Sequence, residues 1–551
     1  MLLYVFKYSS FLLFSILSLC VSVKTNRPNV ILIVADDMGW DDVSFHGSNQ
    51  ILTPNIDLLA YTGVALERYY SHCVCTPSRS ALLTGKFAHV TGMQGYPLTN
   101  AEDRALPITE KTLPQYFKEA GYATHLVGKW HVGQSRVEYL PTSRGFDSHF
   151  GHRGGYIDYY EYTLLETWSV GDVSGFDLFR NYTAAWDVEG YITDVYNREA
   201  ISLIDLHDIS KPLFLMVAHN APHSANEGAP LQAPPELVRS LRYIDLPQRR
   251  YYAAMVKKLD DSVGDIVKAL SNKGILDNSI SIIAFISDNG GITSGMSVNY
   301  ALNWPLRGLK MTPFEGGIRV NGVVWSKNLT QGEHLWKGYM HVADWLPTLL
   351  RAVGLEPPAN IDGIDLWDSI ISDSDSKRDV IFEIDDYTGF MAIISNDYKL
   401  VTGVVITNYS NHQGDMLRGI IGTGPSYEDA IRNSTLYNVL SDLGIPFEMS
   451  DTRLRNKIKI SCNVDKTNIC YPKNGTWCLF NIKEDPCEII DLSSTYPDIA
   501  EKLYSQLKIE MNRTIPRKVP HEINLQAMPS LHNYTWDVWY SSESNLEISK
   551  T

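Results

Sequence analysis

The chain is predicted to be an α/β protein, with a mostly parallel, mixed sheet between helices in a large domain and a smaller α+β domain after it. Three observations carry this. Continuous apolar runs recur up to residue 287 and each ends in polar or charged residues; helix-length segments separate them; and beyond residue 385 the runs shorten and the composition changes.

In chain order, residues 1–22 hold Lys7 and then Phe11-Leu12-Leu13-Phe14-Ser15-Ile16-Leu17-Ser18-Leu19. This apolar core is short for a bilayer span and reads as a cleaved signal peptide, with a signal anchor as the alternative. A secreted or lysosomal protein follows, with no membrane span in the mature chain. Asn29-Val30-Ile31-Leu32-Ile33-Val34-Ala35 has the pattern of a strand buried on both faces and stops at Asp36-Asp37. Ala123 to Val127 leads into Gly128-Lys129-Trp130-His131, Leu213 to Ala218 into His219-Asn220-Ala221-Pro222-His223, and Ser281 to Ser287 into Asp288-Asn289. Segments 112–120, closed by Gly121, and 249–270, closed near Gly274, read as helices. Ligands of such sheets bind at the carboxyl ends of the strands, where these polar clusters fall. Runs 390–395 and 399–406 and a helical segment at 500–511 make up the later part. The expected organisation is a leader at 1–22, a catalytic domain at 23–385, and a smaller domain at 386–551 whose tail after residue 520 wraps the surface.

Composition narrows the partners. Lys and Arg number 48 against 63 Asp and Glu, a formal charge of −15, which argues against nucleic acid or an anionic membrane. Asn181, Asn328, Asn408, Asn433, Asn474, Asn512 and Asn533 each head an Asn-X-Ser/Thr triplet, consistent with a glycoprotein. Beyond the leader, Cys462 with Cys470 and Cys478 with Cys487 are expected to close two small loops in an oxidising compartment. Cys73 and Cys75 are too close in an extended segment to pair well.

The stretch Cys75-Thr76-Pro77-Ser78-Arg79-Ser80-Ala81-Leu82-Leu83-Thr84-Gly85 is the most informative. Pro77 and Ser78 place a helix start just after residue 75, where free N–H groups and Arg79 suit an anion. A thiol there is expected to have a lowered pKa; the plainer alternative is a buried cysteine beside an ordinary helix. Asp36, Asp37, Asp288 and Asn289 offer oxygen ligands alone, which favours a hard divalent cation. On residue type alone Lys129, His131, His223 and Lys310 are surface charges or satisfied histidines, as His125 and His219 remain.

The eleven-residue string nevertheless resembles the signature of the type I sulfatases. Gly128-Lys129-Trp130-His131 matches that family's Gly-Lys-Trp-His motif. Asn303-Trp304-Pro305-Leu306-Arg307-Gly308-Leu309-Lys310, Ala221-Pro222-His223, Pro141 to Asp147, Asp344 to Leu349 and Cys478 to Ile482 resemble the arylsulfatase B branch, so the likeness covers most of residues 27–510. It implies an alkaline-phosphatase-like large domain and an antiparallel sheet in the small one. It also implies that a formylglycine-generating enzyme oxidises Cys75 to formylglycine, whose hydrate is the nucleophile. One Ca²⁺ would be held by Asp36, Asp37, Asp288, Asn289 and residue 75. Arg79 and Lys129 would hold hydrate and sulfate, His131 would accept a proton, and His223 and Lys310 would contact sulfate and protonate the leaving oxygen.

The default substrate by resemblance is N-acetylgalactosamine 4-sulfate in glycosaminoglycans, with a small sulfated metabolite such as a glucosinolate as the alternative. Loops 155–181 and 402–461 lack cysteines carried by close lysosomal relatives, which leaves the substrate open. A phosphoester hydrolase of the same superfold and a catalytically silent carbohydrate-binding relative are the other classes; the Cys75 motif and the complete set of site residues argue against each.

Overall fold

The computed structural model describes residues 27–278, 281–329, 334–386, 388–445, 447–464, 469–473, 475–517 and 523–540. The leader expected at 1–22 and the expected glycan acceptor Asn474 lie outside these residues. In chain order the described strands are β1 (Asn29–Ala35), β2 (Val64–Tyr70), β3 (Ala123–Gly128), β4 (Ser148–Gly151), β5 (Thr163–Trp168), β6 (Gly171–Phe176), β7 (Phe179–Arg180) and β8 (Thr183–Ala184), then β9 (Leu213–Ala218), β10 (Ser281–Ser287), β11 (Gly322–Trp325) and β12 (His334–His341), and last β13 (Val380–Asp385), β14 (Phe390–Ser395), β15 (Tyr398–Gly403) and β16 (Trp477–Asn481).

The large sheet has ten strands in the order β12-β2-β11-β10-β1-β9-β3-β4-β7-β8. Its core is parallel, with β1 between β10 and β9, and β3 joining β9 to β4. β11 runs antiparallel to both β10 and β2, and β7 antiparallel to β4, so the sheet is mixed. Every residue of β1, β9 and β10 is buried, as their unbroken apolar pattern requires. Side chains alternate across β1: Ile31 and Ile33 enter one core cluster with Leu259 and Val263 of the helix Pro247–Asn272, while Leu32 and Val34 enter another with Leu82 of the helix Cys75–Thr84 and Phe117 of the helix Leu113–Glu119. Helices therefore cover both faces.

The expected helix at 112–120 is Leu113–Glu119, opened by a capping box between Thr112 and Gln115. The helix expected at 249–270 starts earlier, at Pro247, because proline is well placed at the first helical position. The helix expected to follow residue 75 also begins earlier and includes it. Val74 is the cap residue, Pro77 falls in the first turn where its missing N–H costs nothing, and Ser78 does not cap: its hydroxyl donates back to Val74 O at 3.0 Å.

β13 to β16 form a separate antiparallel sheet in sequential order. β15 stops at Gly403, which takes φ +89°, instead of continuing to residue 406. The helix Pro497–Met511 lays Ala500, Leu503 and Leu507 on Ile393 and Leu400, and the opposite face packs against Phe314 and Ile318. Across that contact the buried Lys399 amine pairs with Glu315 at 3.0 Å and Glu488 at 2.9 Å.

The disulfides correct the expected pairing: Cys462 joins Cys487 and Cys470 joins Cys478. The nested arrangement follows from β16, which fixes Cys478 in the sheet beside the arriving segment of Cys470 and leaves Cys487, beyond the following turn, facing Cys462. Cys73 and Cys75 are both free and buried. Residues 523–540 do more than wrap the surface. Trp536 is fully buried and donates to Leu164 O at 2.9 Å, and Trp539 donates to Asn100 O at 3.3 Å, so this segment straps the β5–β6 hairpin against the large domain. Among the described residues no helix is long and apolar enough to cross a membrane.

Candidate active site

The carboxyl ends of the parallel strands converge on residue 75. Asp36 and Asp37 follow β1, Lys129 and His131 follow β3, His223 lies five residues beyond β9, Asp288 and Asn289 follow β10, and Lys310 comes from the segment between β10 and β11. Gly128 makes the end of β3 possible: a Cβ there would stand 1.9 Å from Ala218 O of β9. Asp37, His131 and Met311 hold left-handed backbone conformations, with φ of 58°, 59° and 70°, the clustering of local strain expected at a functional site.

The charged groups are interleaved and buried. Arg79 donates from Nε and Nη2 to Asp288 Oδ2 at 3.0 and 2.8 Å, and from Nη1 to Lys129 O at 3.3 Å. Lys129 Nζ donates to Asp36 Oδ2 at 2.6 Å, with both side chains fully buried. Lys310 Nζ lies 2.6 and 2.8 Å from the two Asp37 carboxylate oxygens. Asn289 Nδ2 donates to Asp37 Oδ1 at 2.6 Å, and Asn299, which the sequence did not single out, donates to the carbonyls of Asp37 and Pro222 at 2.9 and 3.1 Å.

Burial alone would push the Asp36 carboxyl up, but Lys129, His223 and Arg79 hold it below the ordinary range. For Asp37, His223 and Lys310 do the same against burial. Asp288 is instead raised, by burial and then by the charge of Asp36. Burial pushes the Cys75 thiol up, opposed by Lys129 and Lys310. That reverses the sequence expectation of a lowered thiol pKa: desolvation of the thiolate outweighs the cations and the helix start.

The two histidines are oriented differently. His131 Nε2 lies 2.9 Å from Leu98 O, so it carries the proton, and Nδ1 is left as a buried lone pair without a hydrogen-bond partner. His223 Nδ1 faces Ser224 O at 2.7 Å, turning Nε2 toward Lys310 Nζ and Asp37 Oδ2, each at 3.3 Å. Burial lowers the pKa of both rings. The Tyr156 ring stacks on His223 at 5.6 Å between centroids, and no local sequence pattern marked it.

The residues fit a hard cation. Asp36 Oδ1 and Asn289 Oδ1 are buried oxygens that accept no hydrogen bond, and Asp36, Asp37 and His223 bring donor atoms within 4.8 Å of one another. Three carboxylates, Asp36, Asp37 and Asp288, balance Arg79, Lys129 and Lys310, so a divalent ion would leave the site positive and suited to an anion. Cys75, His131, His223 and Lys310 form the inner end of a cavity of about 510 Å³. His125 and His219 lie apart from it in ordinary contacts, with Ser148 Oγ at 2.7 Å and Ser262 Oγ at 3.1 Å.

Comparison with known proteins agrees with this geometry. The family model described as Sulfatase matches residues 28–355. Mouse arylsulfatase J is 38% identical over 535 residues, covering 95% of this chain and 82% of that protein. Mouse N-acetylgalactosamine-6-sulfatase is 30% identical over 409 residues, covering 70% of this chain and 74% of that protein. Among solved structures, Ps i-CgsB superposes with a TM-score of 0.70 at 28% identity, covering 92% of this chain and 98% of its own.

Proposed function

The chain belongs to the sulfatase family, a family of sulfuric ester hydrolases, and on that premise we propose that it cleaves sulfate monoesters of the arylsulfatase type with residue 75, converted to formylglycine, as the nucleophile. Carrying the proposal is the buried ring of Asp36, Asp37, Asp288, Arg79, Lys129 and Lys310 around residue 75 at the inner end of the cavity.

Asp36, Asp37, Asp288 and Asn289, with residue 75, would hold Ca²⁺, which when bound supplies a positive charge that stabilises sulfate oxygens and favours an ionised hydroxyl. Conversion of Cys75 requires the formylglycine-generating enzyme of the secretory pathway. Arg79, Lys129 and Lys310 stabilise the charge spread over the transferring group without reorganising, because each is already fixed by a carboxylate. One hydroxyl of the aldehyde hydrate gives its proton to Asp288, whose carboxyl pKa is raised by burial and by Asp36, and attacks sulfur; the bond from sulfur to the alcohol oxygen breaks, and that oxygen takes a proton from the His223 and Lys310 pair. The second hydroxyl then gives its proton to the His131 Nδ1 lone pair, the carbon–oxygen bond to sulfate breaks, and the aldehyde re-forms for rehydration. A serine could perform the first displacement but not the second.

N-acetylgalactosamine 4-sulfate is the first substrate to try, with a small sulfated metabolite as the alternative. The protein is a glycoprotein that is secreted or lysosomal. The two disulfides and the exposed acceptors Asn328, Asn408, Asn433, Asn512 and Asn533 support that localisation. The test is mass analysis of the peptide containing residue 75 alongside release of sulfate and phosphate from matched esters. Aldehyde at residue 75 with sulfate release is expected; intact thiol in active protein, or phosphate release alone, overturns the proposal.

A further inference from the structure

What the sulfate is attached to is a separate question, and its answer rests on the sulfatase reading above. The cavity changes character between its inner end and its mouth. Among the described residues that line it, the sole lysine or arginine is Lys310, and its amine is engaged by Asp37 at 2.6 Å. The walls carry Glu166 and Glu227 instead, together with Tyr96, Tyr156, Leu165 and Met296.

Glu166 is anchored where it stands, accepting from Asn100 N at 2.6 Å and from Trp168 Nε1 at 2.9 Å. Glu227 is exposed at the mouth. Burial first, then Glu166 and Glu227, raise the pKa of the Tyr156 hydroxyl, so both carboxylates lie within electrostatic reach of the ring that stacks on His223. The arginines near Tyr96 offer an anion little, because Arg104 and Arg517 face Glu102 at 3.1 and 3.8 Å. The formal charge of −15 adds a long-range field of the same sign.

A carboxylate or second sulfate on the leaving group would therefore give up its hydration in a cavity whose walls repel it. Aromatic and apolar faces suit the flat, weakly polar faces of an uncharged ring. We infer that the substrate carries its sulfate on an uncharged ring scaffold, and that Glu166 and Glu227 are specificity-determining residues that disfavour scaffolds bearing further negative charge. A free sulfated hexosamine or a neutral metabolite fits this; the same hexosamine linked to a uronate does not.

The test compares kcat/KM of the full chain for an N-acetylhexosamine monosulfate and for a disaccharide joining that residue to a uronate. The monosulfate whose scaffold carries no further charge is expected to be preferred by about tenfold or more at low ionic strength, with the gap narrowing as salt screens the walls. Glu227→Gln should narrow the ratio by about two- to fivefold and Glu227→Lys by about tenfold, in keeping with the modest strength of partly exposed charge pairs. Because the readout is a ratio within one preparation, loss of folded protein cancels. Equal or better turnover of the uronate ester, or a ratio that neither variant moves, overturns this inference and leaves the sulfatase reading standing. Failure to turn over any sulfate ester overturns both.

Discussion

Lys129→Met probes how the site keeps the Asp36 carboxylate ionised out of water. The Lys129 amine lies 2.6 Å from Asp36 Oδ2, both side chains are fully buried, and the nearest other cation to Asp36 is Arg79 at 3.9 Å. Removing one partner of such a pair strands a buried charge and costs about 3–5 kcal/mol of stability. Lys129 also belongs to the preformed cationic set, and losing one such group should lower kcat/KM by about a hundred- to a thousandfold. Adding Asp36→Asn removes the stranded charge and separates the two effects. The double variant should regain about 1–3 kcal/mol over Lys129→Met, the coupling expected of residues in direct contact, yet recover no activity. Denaturant midpoints give the stabilities, and initial rates on an aryl sulfate, normalised to the aldehyde content at residue 75, give the activities. If Lys129→Met is as stable as the parent, or the double variant is no more stable than the single, then the pair does not hold Asp36 ionised and the electrostatic account of the site is wrong.

Cys75→Ser should release a single equivalent of alcohol per chain and retain sulfate covalently at residue 75, seen by mass; repeated turnover would contradict the need for a second hydroxyl. Chelation should abolish activity and lower the thermal midpoint, since an ion that binds the folded state alone stabilises it by mass action, and added Ca²⁺ should restore both; activity indifferent to chelator would dismiss the metal. Non-reducing peptide maps should join Cys462 to Cys487 and Cys470 to Cys478, and removing the first bridge, with its separation of 25 residues, should cost about 3 kcal/mol. His149 Nε2 lies 3.0 Å from Gly128 O, and burial lowers its pKa from 6.5 to about 3. Between those values the unfolded chain binds the proton and the folded chain does not, so the histidine's contribution is full above pH 6.5 and is lost as pH falls toward 3. Compared with the parent, His149→Gln should gain about 1.4 kcal/mol per pH unit in that window; parallel stability curves would show that the ring takes up its proton without penalty.

The central strands were legible because a strand buried on both faces has no polar position to interrupt its apolar run: β1, β9, β10 and β14 begin and end where the sequence places them. Helix starts were less so. Pro77 looked like a break before a helix, yet in the first turn its missing N–H has no partner to lose, and the helix includes Cys75. Asp36, Asp37 and Asp288 could be named from the residues because a charge ending a buried run needs a partner, whereas Lys129, His131, His223 and Lys310 were named only by the family resemblance. Which partner each has could not be read, since Asp36 meets Lys129 across 93 residues and Asp288 meets Arg79 across 209.

By itself, the sequence determined the layered α/β architecture, the motif around Cys75 and the kinds of residue gathered at the strand ends, because hydrophobic period, turn residues and short motifs are local properties. The tertiary structure alone decided the state of the thiol, the disulfide pairing and the character of the cavity. Desolvation, sulfur-to-sulfur approach and the sign of charge on a wall depend on which distant segments meet: Lys129, Asp36 and Asp288 around Cys75, β16 beside Cys470, and Glu166 and Glu227 lining one cavity with Ile523 of the strap at 523–540.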